Sequence, residues 1–362
     1  MPKPLFHALK PIRCLIETSG ILLVCISILT ITYPTNATAQ TFTVFDVGNN
    51  INTSPYAVNA EGQIVGYSIE VVSDNWIIRG FIRNPDGQIT QFDAPNAYYT
   101  DARSINAHGD VTGLLYDATN LKRGYVRDAD GGFTVFDDPN AADCQAFEQK
   151  TGEGVGCGVT PIGINNAGEV TGSFIDTTNG LKVRGFVRDM NGNFTAFDVP
   201  DTSGVVRATI PTTNINNRGE VAGIFAFVGE KYPHHAFLRD RDGEFTLFDV
   251  PNATKFGDLG VSGINDRGDV VGSFSGSRDL HGFIRDHDAN ITEFAFGAAR
   301  INDRGDIAGA GFVSYKHGNV ISLGNFIPSG WTAWSSGINN QGTVSGYVFD
   351  GQSYHGFVFE NR

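Results

Sequence analysis

The sequence predicts an all-β fold made of repeated four-stranded units, and three features lead to that prediction. A short motif occurs seven times, tight-turn residues divide each copy into two hairpins, and the two chain ends carry complementary parts of one unit. The motif is an apolar residue, Asn, a turn with Gly, and a short strand that ends in Gly. Its copies begin at Val58, Ile105, Ile164, Ile215, Ile264, Ile301 and Ile338, 37 to 59 residues apart. A period near 50 residues is typical of a propeller or a solenoid.

The copy that begins at Ile215 illustrates the four predicted strands. Asn216 and Gly219 occupy the first and fourth positions of a turn, which is the preference of a type I turn followed by a Gly with positive φ. Asp240 and Gly243 repeat that spacing in a second hairpin. Each copy therefore predicts two hairpins, which together supply four antiparallel strands.

A glycine ends the second predicted strand in every copy. A glycine inside a strand weakens it unless another group must approach the backbone closely. Crowding between inner strands or between neighbouring units would supply that reason. The seven glycines are Gly66, Gly113, Gly172, Gly223, Gly272, Gly309 and Gly346.

The turn type also fixes the register of the second hairpin and predicts a recurring ion pair. With Asp240 paired to Glu244, His235 lies directly opposite Asp249, close enough to interact. The same arithmetic predicts the pairs Arg79–Asp93, Arg123–Asp137, Arg184–Asp198 and His355–Asp46. We interpret them as structural pairs, since repetition from unit to unit argues against a single active centre.

The two chain ends predict how the units close. Residues 41–47 are typical of a fourth strand with no unit before it, and residues 355–359 of a third strand with no fourth strand after it. Joining them removes an unpaired edge that would promote aggregation. We therefore predict a seven-bladed β-propeller with four-stranded antiparallel blades, whose seventh blade is shared between 41–47 and 333–360. A six- or eight-bladed ring is the alternative, because the copy in residues 297–330 is the weakest.

The N-terminus predicts export. Residues 1–39 combine three basic residues, an apolar run of 13 residues and Ala37-Thr38-Ala39, the small residues that a signal peptidase requires. A retained membrane anchor is the alternative, although 13 residues are few for a bilayer span. We expect residues 40–362 to form a single propeller domain that is secreted, periplasmic or otherwise extracellular, monomeric, and without stable membrane insertion.

Charge and cysteine content restrict the partners further. Removing residues 1–39 changes the formal net charge from −13 to −15, which argues against a nucleic acid or an anionic membrane as a partner. Cys144 and Cys157 are the cysteines left, and an even pair in an exported chain favours one disulfide. A metal site or a reactive thiol is the alternative, but no His or third Cys accompanies the pair.

Three segments carry a family resemblance. They are INxxGxVxG at Ile264 to Gly272, HGFxRD at His281 to Asp286, and FTxFDxP at Phe194 to Pro200. These segments resemble the HAF-repeat proteins, a family of extracellular repeat proteins, and the resemblance covers residues 41–360. It implies export and a repeat scaffold, with no assigned activity or catalytic residues. The chain departs from the family in its degenerate sixth copy and where Arg replaces the usual His, at Arg79, Arg123 and Arg184.

The predicted turns and connections lie at opposite rims of the propeller. Tight turns join the first strand to the second and the third to the fourth at one rim. The connections from second to third strand, and from one unit to the next, lie at the other rim, which we call the long-loop face. They are predicted as long loops at residues 67–79, 94–100, 139–161, 200–211 and 326–334. Long loops on a rigid scaffold often carry binding sites.

Aromatic residues are concentrated in these predicted loops and are the candidate ligand-binding residues. They are Trp76, Tyr98, Tyr99, Tyr116, Tyr232, Trp331 and Trp334. Aromatic rings at a wet surface can stack on sugars or anchor a protein partner. The alternative is that they pack beneath their own loops.

No catalytic residue, cofactor or metal site is predicted. The sequence lacks HExxH, GxSxG, a phosphate-binding loop and a dinucleotide fingerprint. Its Asp-rich turns resemble fragments of a calcium loop but lack the distal bidentate Glu, and turn chemistry explains them. The leading hypothesis is a non-enzymatic scaffold that binds a glycan or a protein through the long-loop face. The alternatives are an extracellular propeller hydrolase or lyase acting on polysaccharide, and a purely structural role in an envelope or matrix.

Overall fold

The computed structural model describes residues 40–48, 52–73, 75–138, 146, 157–178, 182–200, 206–229, 235–253, 259–275, 280–316 and 320–361. These residues form 28 β-strands and one short 3-10 helix, η1 (Leu323–Phe326), so the predicted all-β class is confirmed. The strands occur in groups of four, each an antiparallel meander. We call the groups units one to seven, and their members the first to fourth strand.

The N-terminal strand β1 (Gln40–Phe45) belongs to the last unit, and the other strands follow in order. Unit one comprises β2 (Asn52–Val58), β3 (Ile64–Val72), β4 (Asn75–Arg83) and β5 (Ile89–Phe92). Unit two comprises β6 (Ala97–Ile105), β7 (Val111–Asp117), β8 (Lys122–Arg127) and β9 (Phe133–Phe136). Unit three comprises β10 (Val159–Ile164), β11 (Val170–Asp176), β12 (Lys182–Arg188) and β13 (Phe194–Phe197).

The remaining units have the same order of strands. Unit four comprises β14 (Val206–Pro211), β15 (Val221–Phe227), β16 (His235–Arg239) and β17 (Phe245–Phe248). Unit five comprises β18 (Leu259–Ile264), β19 (Val270–Ser275), β20 (Leu280–Arg285) and β21 (Ile291–Phe294). Unit six comprises β22 (Ala298–Ile301), β23 (Ile307–Gly309), β24 (Phe312–Ser314) and β25 (Val320–Ser322). Unit seven comprises β26 (Thr332–Ile338), β27 (Val344–Phe349), β28 (Tyr354–Asn361) and β1.

The hairpin turns form as the sequence predicts. In unit four the Gly219 N–H donates to the Asn216 carbonyl at 3.0 Å, and Gly219 has a φ of 83°. In the second turn of that unit the Gly243 N–H donates to the Asp240 carbonyl, and Gly243 has a φ of 95°. A positive φ is easy for glycine, which has no Cβ. The two-hairpin prediction is therefore confirmed.

The N-terminal strand supplies the fourth strand of unit seven. β1 pairs antiparallel with β28, in register from Gln40 opposite Asn361 to Phe45 opposite Gly356. The ring of Phe42 stacks on Phe357 with centroids 4.7 Å apart. The two chain ends are thus held by strand pairing and by aromatic packing.

Neighbouring units are joined by a recurring aromatic contact. Phe136 of the fourth strand of unit two packs edge-on against Phe186 of the third strand of unit three, with centroids 6.4 Å apart. Arg188, at the end of that third strand, lies over the ring of Phe136 at 4.8 Å. The same pairing joins Phe45 to Phe81, Phe92 to Tyr125, Phe197 to Phe237 and Phe248 to Phe283. In each of these pairs an arginine also lies over the fourth-strand ring, which adds a cation–π contact between the units. The four rings covered in this way are Phe45, Phe92, Phe197 and Phe248.

The ends of the first strands are linked by a cycle of hydrogen bonds, which we call the asparagine cycle. Each motif asparagine donates an Nδ2–H to the backbone carbonyl of the motif asparagine in the next unit, at 2.9 to 3.1 Å. The order of donors is Asn59, Asn106, Asn165, Asn216, Asn265, Asn302 and Asn339, which donates to Asn59. Each motif asparagine therefore links two units as well as forming the predicted turn.

Candidate functional site

The structure corrects the position of the candidate aromatic residues, because most of them lie in strands rather than loops. The residues in strands are Trp76 in β4, Tyr98 and Tyr99 in β6, Tyr116 in β7 and Trp334 in β26. Trp331 follows a tight turn, in which its N–H donates to the Pro328 carbonyl at 3.1 Å. Tyr232 lies outside the described residues.

The predicted long loop at residues 67–79 is wrong, and the predicted loops at 94–100, 200–211 and 326–334 end within strands β6, β14 and β26. β3 and β4 stay paired as far as Val72 opposite Asn75, so residues 67–79 are mostly strand. Valine and isoleucine, which favour extended backbone, fill this segment. The second-to-third connections of units two and seven are tight turns closed by backbone hydrogen bonds, from Asp117 to Leu121 and from Asp350 to Ser353.

Tyrosines from units one and two come together at the inner pairs of strands. The ring of Tyr99 in β6 meets that of Tyr116 in β7 edge-on, with centroids 5.2 Å apart. Tyr56 of β2 and Tyr67 of β3 form a second pair at 5.6 Å. Ala57 of β2 and Ala102 of β6 pack in one buried cluster, so the two pairs lie on packed neighbouring strands. Tyr67 raises the pKa of both the Tyr56 and the Tyr99 hydroxyls, after the larger effects of burial and of Asp101. We call Tyr56, Tyr67, Tyr99 and Tyr116 the tyrosine cluster.

A buried ion pair lies in β6, the strand that carries Tyr99. The Nε–H of Arg103 donates to Oδ2 of Asp101 at 2.9 Å, and 1% of the Asp101 side chain is exposed against 28% of Arg103. Burial raises the pKa of Asp101 in spite of the arginine. Burial, and then the charge of Asp101, also raise the pKa of Tyr56 and Tyr99. The two hydroxyls therefore stay protonated at neutral pH, where they donate and accept hydrogen bonds.

A β-bulge in the first strand sets the positions of Tyr56 and Arg103. Strand pairing skips Arg103 between Ala102 and Ser104, and it skips Tyr56 between Pro55 and Ala57. The same bulge occurs in four more units, where the skipped residues are Ile162, Ser262, Ala299 and Ser336. A bulge re-aims the side chain of the extra residue. Sequence reasoning missed this position, although it always lies two residues before the apolar residue of the motif.

The other candidate aromatic residues pack separately. Trp331 stacks on His355 with centroids 5.6 Å apart, and Trp334 stacks on Tyr347 at 5.4 Å. The Tyr98 hydroxyl donates to Oδ1 of Asn120 at 2.5 Å. Burial raises the pKa of Tyr347, and Tyr354 and Tyr67 raise it further. The structure thus brings Tyr98, Tyr99 and Tyr116 together. Trp331 and Trp334 instead stack on different residues of unit seven.

The structure also brings together the five predicted cation–carboxylate pairs. The shortest nitrogen–oxygen distances are 3.4 Å for Arg79–Asp93, 3.7 Å for Arg123–Asp137, 3.0 Å for Arg184–Asp198, 2.8 Å for His235–Asp249 and 2.7 Å for His355–Asp46. The side chains are partly exposed, and such pairs stabilise by about 0–1 kcal/mol each.

Three of these cations contact a second carboxylate that the sequence analysis did not predict. The second partners are Asp117 for Arg123, Asp176 for Arg184 and Asp350 for His355. Each lies four residues after the second-strand glycine, a spacing that would have revealed it. Burial lowers the pKa of His355, but hydrogen bonds to Asp46 and Asp350 raise it above the usual range.

A cavity of about 360 Å³ lies at the asparagine cycle. It is lined in every unit by the motif asparagine and its two neighbours. The amide groups of these asparagines are already used within the cycle and the turns, as in Asn216, whose Oδ1 accepts from the N–H groups of Arg218 and Glu220. The fold therefore accounts for the lining of this cavity.

Several predictions concern residues outside the described part of the chain. Cys144 and residues 1–39 lie outside it, whereas Cys157 is buried, so the Cys144–Cys157 disulfide and the signal stay predictions. Within the described residues, no group of three or more His, Cys, Asp or Glu is arranged to hold a metal ion. No helix in that part of the chain is long and apolar enough to cross a membrane.

Solved structures similar to this chain decide its fold. Virginiamycin B lyase from Staphylococcus aureus matches with a TM-score of 0.53 and 14% identity, over 88% of this chain and 99% of the lyase. The β-propeller domain of the Trilobed protease from Pyrococcus furiosus matches with a TM-score of 0.53 and 10% identity, over 86% and 96%. The fold is a β-propeller.

Other comparisons do not extend the likeness of this propeller beyond the fold. Puromycin hydrolase matches with a TM-score of 0.54 and 13% identity, over 86% of the propeller and 52% of the hydrolase. Identities this low relate folds, and one fold serves many functions. No protein-family model matches the sequence, and no curated protein matches it.

Proposed function

We propose that this chain is an exported, seven-bladed β-propeller that binds a saccharide through its long-loop face and catalyses no reaction. In this proposal units one to seven are the blades, and β1 completes the seventh. The asparagine cycle supports the blade count, because it returns to Asn59 after seven bonds. The pairing of β1 with β28 supports closure of the ring. Residues 1–39 would direct export, and the mature chain would be a monomer.

The tyrosine cluster beside Arg103 is the observation that carries the saccharide assignment. Aromatic rings pack on the apolar faces of sugars, while hydroxyls and a guanidinium hydrogen-bond to sugar oxygens. The cluster uses positions at which the repeats differ, whereas the asparagine cavity and the ion pairs use positions that recur. Its four rings are also partly buried, in keeping with a ligand of a few sugar rings. A protein partner would need about 800 Å² of accessible surface.

A propeller hydrolase or lyase acting on polysaccharide is the second candidate. Asp101 favours it, because this carboxylate lies outside the recurring pairs. However, only 1% of its side chain is exposed and Arg103 holds it, whereas a general acid or base must come within hydrogen-bond distance of the substrate. Burial raises the pKa of the Tyr56 and Tyr99 hydroxyls, so they stay protonated and supply no tyrosinate that could act as a base. These features favour binding without turnover.

A saccharide array probed with residues 40–362 tests the proposal. We expect at least one saccharide to bind, and Tyr99→Ala with Tyr116→Ala to weaken that binding by about 10-fold or more, because two stacked rings are removed. Met190→Ala is the control, since Met190 is a 73% exposed apolar residue outside the tyrosine cluster and outside the candidate ligand-binding residues. Binding by the control variant should equal that of the wild type.

Two results would contradict the proposal. One is an array on which nothing binds, and the other is a double variant that binds as tightly as the wild type. Incubation of each bound saccharide with the protein, followed by chromatography, separates the two candidate functions. Cleavage products that still form after further purification of the protein would support the hydrolase or lyase.

A further inference from the structure

Among the described residues, the Arg103 guanidinium is hydrogen-bonded at Nε but not at Nη1 or Nη2. Its Nε–H donates to Asp101, and no acceptor for Nη1 or Nη2 lies within the part of the chain that the structure describes. The side chain is 28% exposed. Nη1 and Nη2 together form a fork of N–H donors with the spacing of a carboxylate. Arg103 can therefore bind an oxygen ligand without losing its contact with Asp101.

Two other arginines of this chain each hold two carboxylates. Arg184 donates its Nε–H to Asp198 and its Nη1–H to Asp176, both at 3.0 Å. Arg123 lies in the same way between Asp137 at Nε and Asp117 at Nη2, both at 3.7 Å. Arg103 has the carboxylate at Nε, whereas the protein supplies none at its Nη groups among the described residues.

The tyrosine cluster adds a second requirement on the ligand. Tyr56 and Arg103 are the bulge residues next to Ala57 and Ala102, and these two alanines pack in one buried cluster. The charge of Arg103 also lowers the pKa of both Tyr56 and Tyr99, after the larger effects that raise it. A ligand that uses both features must combine an anionic group with a flat apolar face. The chain itself carries a net charge of −13, so long-range attraction does not favour an acidic ligand, and the preference depends on this local contact.

We propose that Nη1 and Nη2 of Arg103 bind the carboxylate of an acidic saccharide, such as a uronic acid residue, whose ring packs on the tyrosine cluster. This inference rests on the proposed function and names its ligand class. Asp101 is a positioning residue, because it fixes the guanidinium through Nε and is too buried to touch the saccharide. Bidentate binding needs arginine, since lysine offers a single charged nitrogen.

Paired acidic and neutral saccharides test the inference. Oligosaccharides of polygalacturonate, alginate and hyaluronan, each beside its carboxyl-reduced neutral counterpart, are titrated against residues 40–362. We expect at least one acidic member to bind at least about 10-fold more tightly than its neutral counterpart, because a hydrogen bond between charged groups contributes at least that much to affinity. Arg103→Gln should abolish that preference, whereas the separate variant Arg103→Lys should keep only part of it.

Control variants separate recognition from folding. Arg103→Gln leaves Asp101 buried without its partner, so Asp101→Asn with Arg103→Gln is the second variant, in which both groups are neutral. It should also lose the preference for the acidic form. Arg79→Gln removes an arginine of a partly exposed pair elsewhere in the chain and should keep the preference. A preference that survives in the folded double variant would overturn the inference.

Failure of this inference differs from failure of the proposed function. Saccharides that bind equally well with and without the carboxylate would overturn the carboxylate assignment and leave saccharide binding intact. The same holds if the neutral members alone bind. If no saccharide binds in any form, the proposed function and this inference both fail.

Discussion

Gly272→Ala is expected to lower the free energy of unfolding by about 3 kcal/mol, at the upper end for overpacking. A Cβ at Gly272 would lie far inside van der Waals contact with the Gly260 carbonyl oxygen and 2.6 Å from the ring of Phe283. The carbonyl belongs to the neighbouring first strand and cannot move without breaking its pairing. The quantity to measure is the free energy of unfolding in urea for residues 40–362.

Gly260→Ala is the matched control for this prediction. Gly260 lies in β18, opposite Ser273 of β19, and a Cβ there would meet its nearest heavy atom, the Ser273 carbonyl oxygen, at 3.7 Å. We expect this variant to differ from the wild type by about 0.5 kcal/mol or less. Equal stability of the two variants would contradict the close approach of the first and second strands.

Asn216→Ala is expected to lower the free energy of unfolding by about 4 kcal/mol, because four hydrogen bonds are lost at a buried site. Oδ1 of Asn216 accepts from the N–H groups of Arg218 and Glu220, at 3.1 and 2.9 Å. Nδ2 donates to the Glu220 carboxylate at 2.6 Å and to the Asn265 carbonyl at 2.9 Å. The variant leaves two N–H groups of the turn without an acceptor and interrupts the asparagine cycle.

Asn191→Ala provides the comparison for Asn216→Ala. Asn191 lies in the second turn of unit three and is exposed. Within the described residues its side chain makes no hydrogen bond, and its backbone N–H donates to Asp189. Thermal and urea unfolding should place this variant within about 0.5 kcal/mol of the wild type. A similarly small loss for Asn216→Ala would show that the asparagine cycle contributes little to stability.

Local turn chemistry explains why much of the fold could be predicted. Asn at the first turn position and Gly at the fourth define both hairpins, and the fixed turn length then sets the register. That register placed Arg184 opposite Asp198 from the sequence alone, and the two side chains lie 3.0 Å apart. The second-strand glycines also predicted a close approach to the backbone, and at Gly272 the approaching group is the Gly260 carbonyl oxygen.

The candidate site was harder to predict because it depends on contacts between units. Tyr56 and Arg103 are 47 residues apart in the sequence, and each occupies the bulge of a first strand next to an alanine, Ala57 or Ala102, of one buried cluster. The asparagine cycle was missed for the same reason, since its bonds join residues at least 37 positions apart. Loop lengths failed as a guide because β3 and β4 extend beyond the repeat motif through Val71 and Val72.

The proposed closure of the ring brings unit seven beside unit one, where β28 pairs with β2 at Tyr354 opposite Asn52. Hydrogen–deuterium exchange of residues 40–362 under native conditions tests that closure most directly. We expect those amides of β1 that hydrogen-bond to β28 to be protected from exchange, although less than the amides of β27 and β28, because β1 is a mostly exposed strand paired on one side only. Complete exchange of β1 within seconds, while β27 and β28 stay protected, would contradict a propeller closed by its N-terminal strand.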